Sequence, residues 1–188
     1  MYIIYGKVAI LLHAWHDINP ERIKPDDFIA VIEISKGSKT KYELDKETGL
    51  MMLDRILFTS THYPANYGFI SRTFAEDNDP LDVLLLASEA LEPHTIVRCY
   101  PIGMISMSDS GARDDKIIAI AFSDPSYCNY HNINELPKHI FDEMIHFFKV
   151  YKALEGKDAC VEEVAGPSEA VEVIAKAIKD YEIKFGAR

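Results

Sequence analysis

The sequence predicts a mainly β chain with flanking helices, of the α+β class, on three observations. Short strand-like runs follow one another from Phe28 to Ala121 with turn residues between them. No helical periodicity separates them, and three-and-four spacing of apolar residues begins only near Asn134. Antiparallel strands of this length without alternating helices suggest a small barrel.

In chain order, residues 2–12 are largely apolar but too short to span a bilayer. Lys7 interrupts them and His13-Ala14-Trp15-His16 follows, unlike the small-residue end of a secretory signal. Residues 1–14 read as a β-like or disordered extension ahead of one unit, 15–188; a signal or membrane anchor is the less favoured alternative. Strands are expected at 28–34, 42–45 and 50–55, with Lys46-Glu47-Thr48-Gly49 as a hairpin turn. More are expected at 67–70, 82–87, 95–107 and 116–121. A helix begins near Asn134 or Pro137 and runs to Gly156, burying Ile140, Met144, Phe147, Phe148 and Tyr151. A second starts at Ser168, with Val171, Ile174, Ala175 and Ile178 as its buried stripe.

The chain has 188 residues, 48% hydrophobic and 27% charged, enough for one domain with a real core. Its 20 basic and 30 acidic residues give a formal charge of −10, which argues against a nucleic-acid backbone or an anionic membrane as partner. Cys99, Cys128 and Cys160 form no CxxC pair and suit a reducing cytoplasm.

The densest chemical signal is Asp77-Asn78-Asp79-Pro80-Leu81-Asp82. In an extended backbone Asp77 and Asp79 share a face, and Pro80 turns the chain to bring Asp82 round. Carboxylates packed this closely are driven to protonate unless a hard divalent cation relieves them, and Mg²⁺ is the first candidate. An EF-hand needs Gly at loop position six and Glu at position twelve, where this chain has Asp82 and Ser88. An Asp-rich surface turn is the plain alternative. Against it, Asp82 opens the apolar run Val83-Leu84-Leu85-Leu86-Ala87, which fixes that carboxylate on a buried strand.

Charges elsewhere sit where they are costly. Glu33 lies inside an apolar strand and needs a partner; Lys41 and Glu43 share a face of the next strand, and Arg55 ends the one after. If the three strands adjoin in a barrel, these groups face one hollow, either as a site or as a salt-bridge lattice. The loop from Asp109 through Asp114 and Asp115 to Lys116 adds oxygen ligands and a base, although solvated turn chemistry accounts for the same composition. His62, His139 and His146 read as ordinary surface or packing residues.

Taken together, Ile32-Glu33-Ile34, residues 41–45, Asp54-Arg55, residues 63–68, the aspartates of 77–83 and Tyr151-Lys152 resemble, in order and spacing, the soluble family I inorganic pyrophosphatases over roughly residues 15–185. The resemblance implies a five-stranded OB-like barrel, several Mg²⁺ ions and hydrolysis of pyrophosphate to two phosphates. It makes Asp77, Asp82, Asp109 and Asp114 metal ligands, joined by Glu33, and Asp79 the acceptor of the attacking water's proton. Lys41, Arg55, Tyr67, Lys116, Tyr151 and Lys152 would hold the phosphates, with Glu43 tuning the bases near it. It also implies a symmetric homo-oligomer, often a hexamer in bacteria. Asn78 stands where many members have Gly, and Asp115 competes with Asp114 on spacing alone. Rival readings are an OB-barrel oligonucleotide binder, a structural calcium domain, and a phosphohydrolase for nucleotides or sugar phosphates. The acidic clusters disfavour the first, and no segment suggests a base or sugar pocket for the last.

Overall fold

The computed structural model describes residues 3–4, 7–8, 12–109, 112–157 and 159–186, and gives Asp109 as backbone alone. The expectation of a β-like or disordered extension therefore lies, for residues 1–11, outside the described residues, apart from a short pairing of β1 (Ile3–Ile4) with β2 (Lys7–Val8). The other elements are β3 (Phe28–Ile34), β4 (Thr40–Leu44), β5 (Met51–Ile56), β6 (Asn66–Ile70), β7 (Asp82–Leu86), β8 (Ile96–Asp109), β9 (Ala112–Arg113), β10 (Lys116–Ala121) and β11 (Ala159–Ala165). Two helices, α1 (Lys138–Val150) and α2 (Pro167–Phe185), come late.

Strands β10, β7, β6, β3 and β8 pair in that order, and β8 pairs back to β10, closing a five-stranded barrel. The 14 residues of β8 outlast its barrel neighbours, so its far half also pairs with β9 and β11. Successive strand residues enter different cores. Leu84, Leu86, Ile118 and Ile120 join the cluster that receives α1, while Val83, Leu85, Ile117 and Ala119 join the one that receives α2. Both faces of these strands are thus buried, which is why they read as unbroken apolar runs. Each such Leu or Ile contributes about 1.5–3 kcal/mol when fully buried.

Several expectations are corrected. The barrel is not wholly antiparallel, because β7 and β10 run parallel. Strands β4 and β5 form a separate hairpin instead of continuing the barrel, although Glu33 of β3 still reaches it by accepting a hydrogen bond from Leu44 N at 2.9 Å. Of the two expected starts of the first helix, Pro137 holds, since residues 133–135 form a separate three-ten turn capped by Asn132; the helix ends at Val150, short of the expected Gly156, which instead closes a further three-ten turn over Ala153–Glu155. The second starts at Pro167 behind Gly166, and its buried stripe is Ala170, Ile174, Ala177 and Tyr181; Ala175 is exposed. Ile174 is the shared position; close approach to the barrel places the small Ala170 and Ala177 beside it, and Tyr181 is held by its hydroxyl, 2.7 Å from His16 Nδ1. Strand β11 was not expected: the alternation of Val161 and Val164 is broken by Glu162 and Glu163 at a register shift.

One glycine decides how tightly the barrel closes. A Cβ on Gly68 would stand 1.9 Å from the Val31 carbonyl oxygen, so only a residue without one lets β6 approach β3 here.

Candidate active site

The parallel pairing of β7 with β10 sets Asp82 directly beside Lys116, each the first residue of its strand. The buried Lys116 ammonium ion-pairs with both Asp82 and Asp114. Tyr67, on the next strand, donates its hydroxyl to Asp82 at 2.5 Å. Glu33 stands at a register shift between Ile32 and Ile34, and this bulge is how an acid is accommodated within a buried strand. On the hairpin, a second shift leaves Asp54 as the extra residue between Leu53 and Arg55, opposite Lys41 and Tyr42. Asp54 then reaches Lys41 at 2.9 Å and Arg55 Nη1 at 2.5 Å, while Lys41 also pairs with Glu43.

The aspartate segment is a turn, not the extended strand expected from alternation. Asn78 N donates to the Ala75 carbonyl, Ala75 N to the Asp79 carbonyl, and Asp79 N to the Asp77 carboxylate at 3.0 Å. Asn78 takes φ +68°, a left-handed conformation that Gly adopts freely and Asn tolerates better than most residues. Its presence in place of Gly thus keeps the turn intact.

These elements surround a cleft of about 270 Å³ lined by Glu33, Lys41, Glu43, Tyr67, Asp77, Asp79, Asp82, Asp114, Lys116, Tyr151 and Lys152. Tyr151 caps the C-terminus of α1 and Lys152 follows it, so that helix end forms one wall. Two expected residues are not on the lining. Arg55 is paired with Asp54 and Glu155, and the Asp109 side chain lies outside the described structure. Asp115 turns away, bonded to Ser106 and Arg113, so of the two adjacent acids it is Asp114 that faces the cleft.

Sequence reasoning missed three participants. Lys46, at the hairpin turn, ion-pairs with Asp79 and lies 3.4 Å from the Asn78 carbonyl. Asp54 was only a neighbour of Arg55 in sequence, and Glu155 is 100 residues from its partner, so nothing local announced either. A larger depression of about 470 Å³ lies between α2 and β11, but no expected site residue lines it, and its Asp115 and Glu76 are matched by Arg113 and Lys176.

An inorganic pyrophosphatase family model matches residues 30–182. The chain belongs to the inorganic pyrophosphatase family. It is 48% identical over 173 residues to a soluble inorganic pyrophosphatase of Solanum tuberosum, covering 92% of this chain and 82% of that one. An Arabidopsis thaliana relative is 47% identical over 176 residues, with 94% and 82% covered. The Helicobacter pylori inorganic pyrophosphatase structure superposes with a TM-score of 0.82 at 40% identity, covering 85% of this chain and 96% of that one.

Enzymes of this family depend on metal ions, and the donor set in this member suits a hard divalent cation, since its acids are all oxygen donors. The cleft gathers Glu33, Glu43, Asp77, Asp79, Asp82 and Asp114 against Lys41, Lys46, Lys116 and Lys152. Burial, then the charge of Asp82, pushes Glu33 up to about 8, although the Leu44 N–H opposes the rise. Partial burial of its carboxyl raises Asp77 to about 6 despite the Asp79 N–H, with Asp82, Asp79 and Asp114 adding to the rise. For Lys116 burial acts downward, but Asp82 and Asp114 outweigh it and keep the ammonium charged. Among the described residues, no three His, Cys, Asp or Glu side chains already enclose a metal position. The Lys116 ammonium instead occupies the space between two of the carboxylates.

The raised acids fix a sign for pH dependence. The folded protein holds a proton on Glu33 that the unfolded chain releases near 4.5, so this contribution is full below 4.5 and is lost as pH rises through about 8. In chelator, the melting temperature should fall across that window, and saturating Mg²⁺ should flatten the fall. A slope unchanged by Mg²⁺ would show that no cation binds at these acids.

Proposed function

We propose that this chain hydrolyses inorganic pyrophosphate to two phosphates with Mg²⁺ as its cofactor. The observation that carries the reading is the convergence of carboxylates and phosphate-binding bases on one cleft in a member of this family. Glu33, Asp77, Asp82, Asp109 and Asp114 would hold the ions. When bound, Mg²⁺ would supply charge to offset the substrate and lower the pKa of a water molecule. Asp79 accepts that water's proton as its oxygen bonds to phosphorus and the bridging P–O bond breaks, releasing phosphate. Lys41, Arg55, Tyr67, Lys116, Tyr151 and Lys152 bind the phosphoryl oxygens and stabilise charge on the leaving group. Glu43 keeps Lys41 charged: burial lowers the lysine, and Glu43 and Asp54 more than restore it.

Substrate class is tested by phosphate release at saturating Mg²⁺. Pyrophosphate should be turned over far faster than ATP or a sugar phosphate, and equal rates on all three would overturn the assignment. The net charge of −10 supports a partner set without nucleic acid or membrane, and among the described residues no helix is long and apolar enough to cross a bilayer. We further propose a cytoplasmic location and a homo-oligomer, read by light scattering against the monomer mass of 21.3 kDa.

Residues 1–14 we take as an extension to one unit spanning 15–188. His13 Nε2 lies 3.1 Å from the Lys46 carbonyl oxygen, and Ala14 accepts a hydrogen bond from the Ser71 hydroxyl at 2.7 Å. Deleting residues 1–12 preserves both contacts and should leave turnover within about twofold and melting nearly unchanged. Loss of the oligomer on deletion would place the segment in an interface.

A further inference from the structure

Arg55 is held on two edges. Asp54 takes Nη1, and Glu155, whose side chain is only 9% exposed, takes Nε at 2.9 Å. The third nitrogen, Nη2, is buried and has no acceptor among the described residues. Asp54 cannot set the guanidinium alone, because the same Oδ2 atom also accepts from Lys41. A second anchor on a different edge is what fixes the plane of a forked group.

Glu155 ends the three-ten turn Ala153–Glu155, directly after Tyr151 and Lys152, and Gly156 closes that turn at φ +67°. Its contact to Arg55 therefore joins the C-terminal end of α1 to β5.

We propose that Glu155 is a positioning residue for the reaction: through its ion pair with Arg55 it ties β5 to the turn after α1 and so sets the spacing between Arg55 and the cleft-lining Tyr151 and Lys152. The inference rests on pyrophosphate being the substrate. Tyr151 and Lys152 line the cleft, and a wall or guanidinium free to shift would have to be ordered at each binding event.

The test is steady-state kinetics and melting for Glu155→Ala and Glu155→Gln, each in the parent and in an Arg55→Lys background. Glu155→Ala should raise KM for pyrophosphate about tenfold with kcat changed less than about threefold. Glu155→Gln retains an oxygen that accepts from Nε and should recover most of the loss. In the Arg55→Lys background, where no Nε remains, Glu155→Ala should shift KM by less than about twofold. A lowered melting temperature with unchanged KM would overturn the proposal, as would a tenfold KM rise that persists without Arg55. Should Glu155→Ala not fold, Glu155→Asp is one methylene short of Nε, and its KM should rise in the same way; no rise would overturn the proposal. Failure of the parent chain to release phosphate from pyrophosphate would instead remove the substrate assignment, and it is seen before any variant is made.

Discussion

Asp79→Asn should lower pyrophosphate turnover by about 10²–10⁴-fold with metal affinity much less changed, whereas Asp82→Asn should lose metal affinity and regain part of its activity in excess Mg²⁺. The two carboxylates lie three residues apart but in different settings. Asp79 sits on the turn, 45% exposed, ion-paired with Lys46 at the cleft edge. Its amide analogue keeps the shape and one acceptor oxygen, and loses the basicity together with the charge that pairs with Lys46. Asp82 opens β7 and is fixed by Tyr67 and Lys116, as a ligand held to tight geometry must be. Removing its charge weakens cation binding directly, so mass action can compensate. Rate measured against Mg²⁺ concentration separates them. Equal rescue of both variants by excess Mg²⁺ would make Asp79 a ligand and move proton acceptance elsewhere.

Lys116→Met should cost the metal-free protein about 3–5 kcal/mol, because Asp82 and Asp114 lose the buried cation that they share. Methionine fills similar volume, so the loss is electrostatic more than steric. Mg²⁺ supplies charge to the same carboxylates and should recover part of the stability. Denaturant midpoints in chelator and in Mg²⁺ give the two values. Identical losses in both would mean that no cation reaches these acids.

Much of this site was legible because its residues are carried on strands whose neighbours are apolar. Glu33 within Ile32 and Ile34, and Asp82 before Val83, stand out because charge there demands a reason. Strands β3 and β10 matched the expected bounds, since continuous apolar runs between turn residues leave little freedom in where they begin and end. Register was the part that one-dimensional pattern could not supply. The bulges at Glu33 and Asp54 and the parallel alignment of Asp82 with Lys116 come from pairing between distant segments. The same limit hid Glu155, whose only signal is a partner 100 residues away. For the aspartate turn, alternation was the wrong rule: an Asx hydrogen bond and a left-handed Asn78 override it, and that chemistry was present in the Asp-Asn-Asp-Pro string itself.

Phosphate release from pyrophosphate, followed after exhaustive chelation and then during titration with Mg²⁺, tests the central claim most directly. Activity should be absent in chelator and should return as Mg²⁺ is added, while Ca²⁺ should bind and support little reaction because its longer, looser coordination orders the reactants less well. Turnover undiminished by chelation would contradict the account.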